Sequence, residues 1–271
     1  MATVEGEGAR LYYEVHGDGP AVVFAHGRGG NAASWWQQVP VFAARYRVVI
    51  FDHRGFGRSR CDAAHFDCGH FHHDILAILD AEGIERASLV CQSMGGWGGL
   101  KLAATHPERV GALVLSNTPG GVDAPGVTAA IEHLASGAIP PGSAQLGASF
   151  KAANPEAAYL CAQISGLNSN FPKPFGRITR AGFVTAEDLR GYAVPTLMIT
   201  APEDLLFPPA VMAEAAAAVP GAQLVELPDA GHSPYFETPA AFNALVLEFL
   251  EATSKSLSPL WQKEGPASPG G

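Results

Sequence analysis

Three residues whose types could activate a hydroxyl and attack a carbonyl carbon occur in one order along the chain: Ser93, Asp204 and His232. A serine hydroxyl is a weak nucleophile at neutral pH. It needs an imidazole within hydrogen-bond reach, and the imidazole needs a carboxylate to orient it. Ser93 lies in LVCQSMGGWGG (89–99), where an apolar run stops and a glycine-rich helical stretch starts at once. Such an elbow pushes the side chain out of a sheet in a strained conformation and requires small neighbours. The spacing G-x-S-x-G is met except at its first position, where Cys91 stands for glycine. Taken alone, a serine here is as readily a helix cap; the other two residues tip the balance. Asp204 follows an apolar run in TAPEDLLFPP, and His232 follows another in ELPDAGHSPYFETP. Glu203, Asp229 and Asp123 compete for the carboxylate role, and Asp204 is preferred for its place after a strand-like run.

A fourth segment, FAHGRGG (24–30), supplies a glycine-flanked loop after a strand-like run. The oxyanion formed by attack on a carbonyl needs two preorganised backbone N–H donors. The expected pair is Met94, just after the nucleophile, and Arg28 in this loop. The Arg28 side chain could in addition pair with a substrate carboxylate, the alternative being an arginine turned to solvent or paired with a nearby acid. Trp97 lies close behind the elbow and is a candidate substrate contact, although packing between helices is the preferred reading.

These groups meet only if the elements carrying them form one sheet. Short runs rich in Val, Ile and Leu recur at 21–27, 46–52, 87–93, 109–117, 194–201 and 222–229, and such runs suit strands buried on both faces of a parallel sheet. Helical stretches separate them at 72–83, 94–107, 208–221 and 239–252, so the alternation predicts a doubly wound α/β sheet. ARLYYEVHG (9–17) alternates in polarity and reads as a half-exposed strand closing a hairpin at Gly17–Pro20. Between about Gly120 and Asp188 the strand signal vanishes and short helical pieces such as GVTAAIEHLASG take over, which predicts a lid laid over the sheet. Phe150, Phe171, Phe175 and Phe183 in that stretch could line an apolar pocket. The expected division is a core over 1–119, a helical cap over 120–188, the rest of the core over 189–253 and a flexible tail over 254–271.

Together, His26-Gly27, the run Asp52-His53-Arg54-Gly55-Phe56-Gly57-Arg58-Ser59, the Ser93 elbow, Asp204 and Gly231-His232-Ser233-Pro234 resemble the α/β-hydrolase fold superfamily. The likeness is closest to small, capped bacterial serine hydrolases of the enol-lactonase, esterase and C–C hydrolase type, and it covers about Arg10 to Glu251. It implies an eight-stranded, mostly parallel sheet with a helical cap inserted after the sixth strand. It also implies that the Asp52–Ser59 loop is structural. Members that dehalogenate or open epoxides carry aspartate at the elbow, and Ser93 sets both aside. The implied activity is hydrolysis of an ester or lactone. Cleavage of a C–C bond in a β-diketone or dienoic acid by the same triad is a second reading, and a ligand-binding protein that kept the fold is a third.

Composition narrows the partners. The chain has 271 residues, with 17 Lys+Arg against 26 Asp+Glu and a formal net charge of −9. That balance opposes a nucleic-acid surface, which needs a basic face. The start MATVEGEGARLYYEV has neither a basic nor an apolar leader region, and no apolar run approaches the ~18 residues that a membrane span requires. The expectation is a cytoplasmic protein with reduced thiols, acting on a small molecule; a homodimer is left open. Four cysteines do not make a disulfide framework in a chain of this size. The stretch CDAAHFDCGHFHHD (61–74) concentrates Cys, His and Asp but lacks C-x-x-C or H-x-x-x-H spacing, so a polar loop is preferred over a metal site. No cofactor is called for.

Overall fold

The computed structural model describes residues 1–140, 142–168 and 182–261. Its strands are β1 (Ala2–Gly6), β2 (Ala9–His16), β3 (Ala21–Ala25), β4 (Arg47–Phe51), β5 (Arg60–Cys61), β6 (Ala87–Gln92), β7 (Val110–Ser116), β8 (Thr196–Thr200) and β9 (Gln223–Glu226). They join in one sheet in the order β1-β2-β4-β3-β6-β7-β8-β9. From β4 to β9 every pairing is parallel, while β1, β2 and β4 run antiparallel at one edge. The expected eight strands are joined by the two-residue β5, which pairs with β2. One expectation is corrected at this edge. The strand at 9–16 does make a hairpin, but its partner is β1, on the other side of the turn at Gly8 (φ +62°). The polar, largely exposed run of β1 carried no apolar signal to reveal it.

Alternate residues of each central strand enter two separate cores, as a period of two requires. Val23, Val49, Leu89, Leu113 and Met198 face one side, and Val22, Val48, Val90, Val114 and Leu197 face the other. The first core is covered by α2 (Phe71–Ala81), α3 (Gly95–Thr105), α4 (Pro125–Ala135) and α7 (Pro209–Ala218). In α2, Phe71, Ile75, Ile78 and Leu79 recur at helical spacing and are all buried, which explains both its formation and its seating. The second core lies under α1 (Val39–Phe42) and α9 (Pro239–Trp261), where Phe242, Val246, Phe249 and Leu250 repeat the same spacing.

The chain expected to be a loose tail from Ser254 instead continues α9 as far as Trp261. The hydroxyls of Thr253 and Ser254 donate back to the carbonyl oxygen of Leu250, so both are satisfied within the helix. Residues 262–271 lie outside the described residues. Between β7 and β8 the chain forms α4, α5 (Ala148–Ala153) and α6 (Pro155–Gly166). The two ends of this excursion meet where Val122 pairs with Val184.

The elbow departure at Cys91 has a packing counterpart in α3. Cys91 is fully buried, and a Cβ built on Gly99 would lie 2.5 Å from its sulfur. The sulfur thus fills space that Gly99 leaves open, and the helix still closes on the sheet. Gly99→Ala is expected to lower the unfolding free energy by about 1–3 kcal/mol. In a double-mutant cycle with Cys91→Gly, the pair should recover about 1 kcal/mol of that loss. Urea titrations of the four proteins measure this, and strictly additive losses would contradict the pairing.

Candidate active site

The parallel order brings the carboxyl ends of β3, β6, β7, β8 and β9 to one mouth, where loops of an open α/β sheet form its sites. Ser93 follows β6 directly and has φ +48°, a left-handed conformation that L side chains rarely adopt. Its N–H donates to the carbonyl of Ser116 at 3.0 Å, and its own carbonyl accepts from Gly96 N–H at 2.9 Å. The strained residue is therefore held from both sides, by the end of β7 and by the first turn of α3.

His232 stands between the other two residues. Its Nε2 lies 2.8 Å from Ser93 Oγ. Its Nδ1 lies 3.0 Å from each oxygen of Asp204. A carboxylate only accepts, so Nδ1 carries the proton and Nε2 presents its lone pair to the serine hydroxyl. All three residues are buried. Asp204 Oδ1 also accepts from Leu206 N–H at 2.8 Å and Phe207 N–H at 3.1 Å, which fixes the carboxylate on the loop after β8. Of the competing acids, Glu203 turns away to accept from Ser149 N–H at 2.9 Å. Neither Asp229 nor Asp123 is a hydrogen-bond partner of the imidazole.

The loop after β3 lies against the serine. A Cβ on Gly27 would fall 2.8 Å from Ser93 Cβ and 2.0 Å from Gln92 Oε1, so only glycine lets the loop come this close. His26 anchors the loop: Nδ1 donates to Gly27 O at 2.7 Å and Nε2 accepts from His53 N–H at 2.9 Å. Burial lowers the His26 pKa to about 4, which keeps the ring neutral and the two bonds intact at neutral pH. The Asp52–Ser59 motif holds the same loop from below. Asp52 accepts from Ala32 N–H and Arg58 N–H, each at 2.7 Å. Arg54 is fully buried on Asp74, with Nε donating at 2.8 Å and Nη2 at 2.6 Å. The motif thus works as scaffold. Met94 is the N-cap of α3, so its N–H has no intrahelical acceptor, and Arg28, on the loop after β3, is exposed. Trp97 is buried behind the elbow, its ring 6.1 Å from that of Phe207.

Two residues that the sequence did not single out help to hold the constellation. Asn117, at the end of β7 with φ +51°, donates from Nδ2 to Asp204 Oδ2 at 2.9 Å and to Gly231 O at 3.2 Å. Gln92 donates from Nε2 to the carbonyl of His232 at 2.9 Å. The available signal was a polar residue ending each of two otherwise apolar strands. The 61–74 stretch runs from the end of β5 through short turns into the first turn of α2, where Asp74 holds Arg54. Among the described residues no group of three or more His, Cys, Asp or Glu is placed to hold a metal ion. Cys91 is inert packing, its thiol pKa pushed up by complete burial. Phe183 is buried and Phe150 packs against Phe236, whereas Phe171 and Phe175 lie outside the described residues.

Comparison with known proteins places the chain in a family. The model of the alpha/beta hydrolase family matches residues 22–245. The chain belongs to that family. A protein of Azorhizobium caulinodans named as a carbamate hydrolase, RutD, is 30% identical, over 92% of this chain and 98% of its own length. Among solved structures, an N-acyl homoserine lactone degrading enzyme superposes with a TM-score of 0.77 at 30% identity, covering 92% of this chain and 100% of that one. The enol-lactonase of Burkholderia xenovorans LB400 does so with a TM-score of 0.72 at 26% identity, with the same coverage. The chain is an alpha/beta hydrolase enzyme. No helix among its described residues is long and apolar enough to cross a membrane.

The buried imidazoles give the hydrolase a definite acid response. Burial lowers the pKa of His26 and of His72 from 6.5 to about 4. Between those values the unfolded chain binds more protons than the folded one, so stability rises with pH there. The unfolding free energy should fall steadily as pH drops from 6.5 towards 4. Urea denaturation across that interval measures it, and a flat profile would contradict neutral burial.

Proposed function

We propose that this hydrolase cleaves a carboxylic ester or lactone of a small, largely apolar molecule through a serine–histidine–aspartate triad and an acyl-enzyme. The observation that carries the reading is the continuous hydrogen-bonded line from Ser93 Oγ to His232 Nε2 at 2.8 Å and from Nδ1 to Asp204 at 3.0 Å. In the first step Nε2 takes the hydroxyl proton as Oγ bonds to the carbonyl carbon, and the carbonyl π pair moves onto oxygen. Asp204 keeps the ring in place and stabilises the imidazolium. The N–H groups of Arg28 and Met94 stabilise the oxyanion. When the oxyanion collapses, the C–O bond to the leaving group breaks and Nε2–H protonates the departing oxygen. Water then repeats the sequence on the acyl carbon, the imidazole taking its proton and returning it to Ser93, and the carboxylic acid leaves. Arg28, exposed at the mouth, would pair with a carboxylate on the substrate, and Trp97 would back the acyl side of the pocket.

A second reading is favoured by the relative named as a carbamate hydrolase. Attack on a carbamate carbonyl needs the same hydroxyl, imidazole and oxyanion donors, with a nitrogen as the leaving atom. Hydrolysis of a C–C bond would instead release a carbon-bound leaving group.

With p-nitrophenyl esters of rising chain length, several lactones and simple carbamates, ester or lactone turnover is expected to exceed carbamate turnover. Ser93→Ala should keep the fold and lower kcat by about 10⁴-fold or more. Ester hydrolysis retained in that variant would refute the nucleophile.

A further inference from the structure

Glu237, five residues after His232, lies on the short helix α8 (Pro234–Glu237) and is buried. Its carboxylate collects three backbone N–H groups. Oε2 accepts from Gly231 at 2.9 Å and from Gly147 at 2.8 Å, and Oε1 accepts from Ser233 at 2.9 Å. Gly231 and Ser233 flank His232, so the backbone on both sides of the imidazole is tied to one side chain. The third donor is the residue that precedes α5, in the excursion between β7 and β8.

The contact is close at both ends. A Cβ on Gly231 would lie 2.3 Å from Gly147 N, and a Cβ on Gly147 would lie 3.0 Å from Glu237 Oε2. Only an acceptor-only group can take all three donors, because an amide would turn its own N–H groups towards one of them. Burying that charge is costly, and burial raises the Glu237 pKa against the opposing pull of the three N–H groups and of His232. An apolar residue of similar size would avoid that cost while leaving the histidine loop untethered.

We infer that Glu237 is a positioning residue that sets the orientation of His232 through its flanking peptide groups and makes that orientation depend on the seating of α5. It touches no reacting atom. Its effect on turnover rests on the function proposed above, whereas its effect on the imidazole does not.

The test reads the imidazole directly. The proton between His232 Nδ1 and Asp204 should give a strongly downfield proton NMR signal, assigned by its loss in Asp204→Asn. In folded Glu237→Gln and Glu237→Ala, that proton is expected to exchange with water about tenfold faster or more, because the ring is no longer held. Should the alanine variant fail to fold, the glutamine variant decides. Gly147→Ala strains no backbone, since φ −57° and ψ 150° suit any L-residue, and its Cβ would press on the seat of α5 at Glu203 Oε2 (2.9 Å), Glu237 Oε2 (3.0 Å) and Gly231 N (3.2 Å). It should speed exchange in the same direction by a smaller factor. On an ester that the wild type turns over, Glu237→Gln should lower kcat about tenfold while KM stays within about twofold.

Unchanged exchange in a folded Glu237 variant overturns the inference. Unchanged exchange in Gly147→Ala, beside faster exchange in Glu237→Gln, overturns its dependence on α5. A wild type that shows the downfield proton but hydrolyses no ester, lactone or carbamate defeats the proposed function instead, and the exchange rates still decide the role of Glu237.

Discussion

An imidazole can take a proton from a hydroxyl at one nitrogen only when its other nitrogen is committed as a donor. In this hydrolase the commitment is made inside the protein, with the ring of His232 and the carboxylate of Asp204 both buried. Such an arrangement holds only if every polar group around it is satisfied. The structure meets that demand from five directions: backbone N–H groups of the loop after β8, the Asn117 amide from β7, the Gln92 amide from β6, the Glu237 carboxylate and the Ser93 hydroxyl. The parallel sheet matters because it is what brings those strand ends to one place.

Strain is concentrated at the same point. Ser93 and Asn117 are both non-glycine residues in the left-handed region, and they end adjacent strands, β6 and β7. Each is held there by hydrogen bonds that a relaxed backbone would lose. Around them the packing is tolerant enough to admit a change of motif. Cys91 stands where glycine is usual, and the space it needs is provided one helical turn into α3 by Gly99.

Much of this was legible from residue order alone. Five of the six apolar runs became β3, β4, β6, β7 and β8, because strands buried on both faces must be apolar throughout, and the sixth became β9, a largely exposed edge strand. Ser93, Asp204 and His232 could be found because each follows such a run. What escaped has a common physical cause. β1 is a largely exposed edge strand in which Val4 packs against the core between exposed neighbours, so it left little hydrophobic trace. Asn117, Gln92 and Glu237 act through hydrogen bonds to residues far away in sequence, and no local spacing reports such partners. The end of α9 was missed because the stretch from Ser254 is rich in Ser, Pro and Gly, whereas in the helix the Ser254 hydroxyl bonds back to Leu250.

In the proposed chemistry one serine oxygen attacks carbonyl carbon beside two backbone donors, with His232 moving the proton. The most direct measurement is a crystal structure of the enzyme after reaction with a fluorophosphonate, whose phosphorus mimics the tetrahedral carbon. The account predicts a bond from Ser93 Oγ to phosphorus, with one phosphonyl oxygen about 3 Å from the N–H groups of both Arg28 and Met94. An unmodified Ser93, or a phosphonyl oxygen turned away from both donors, would contradict it.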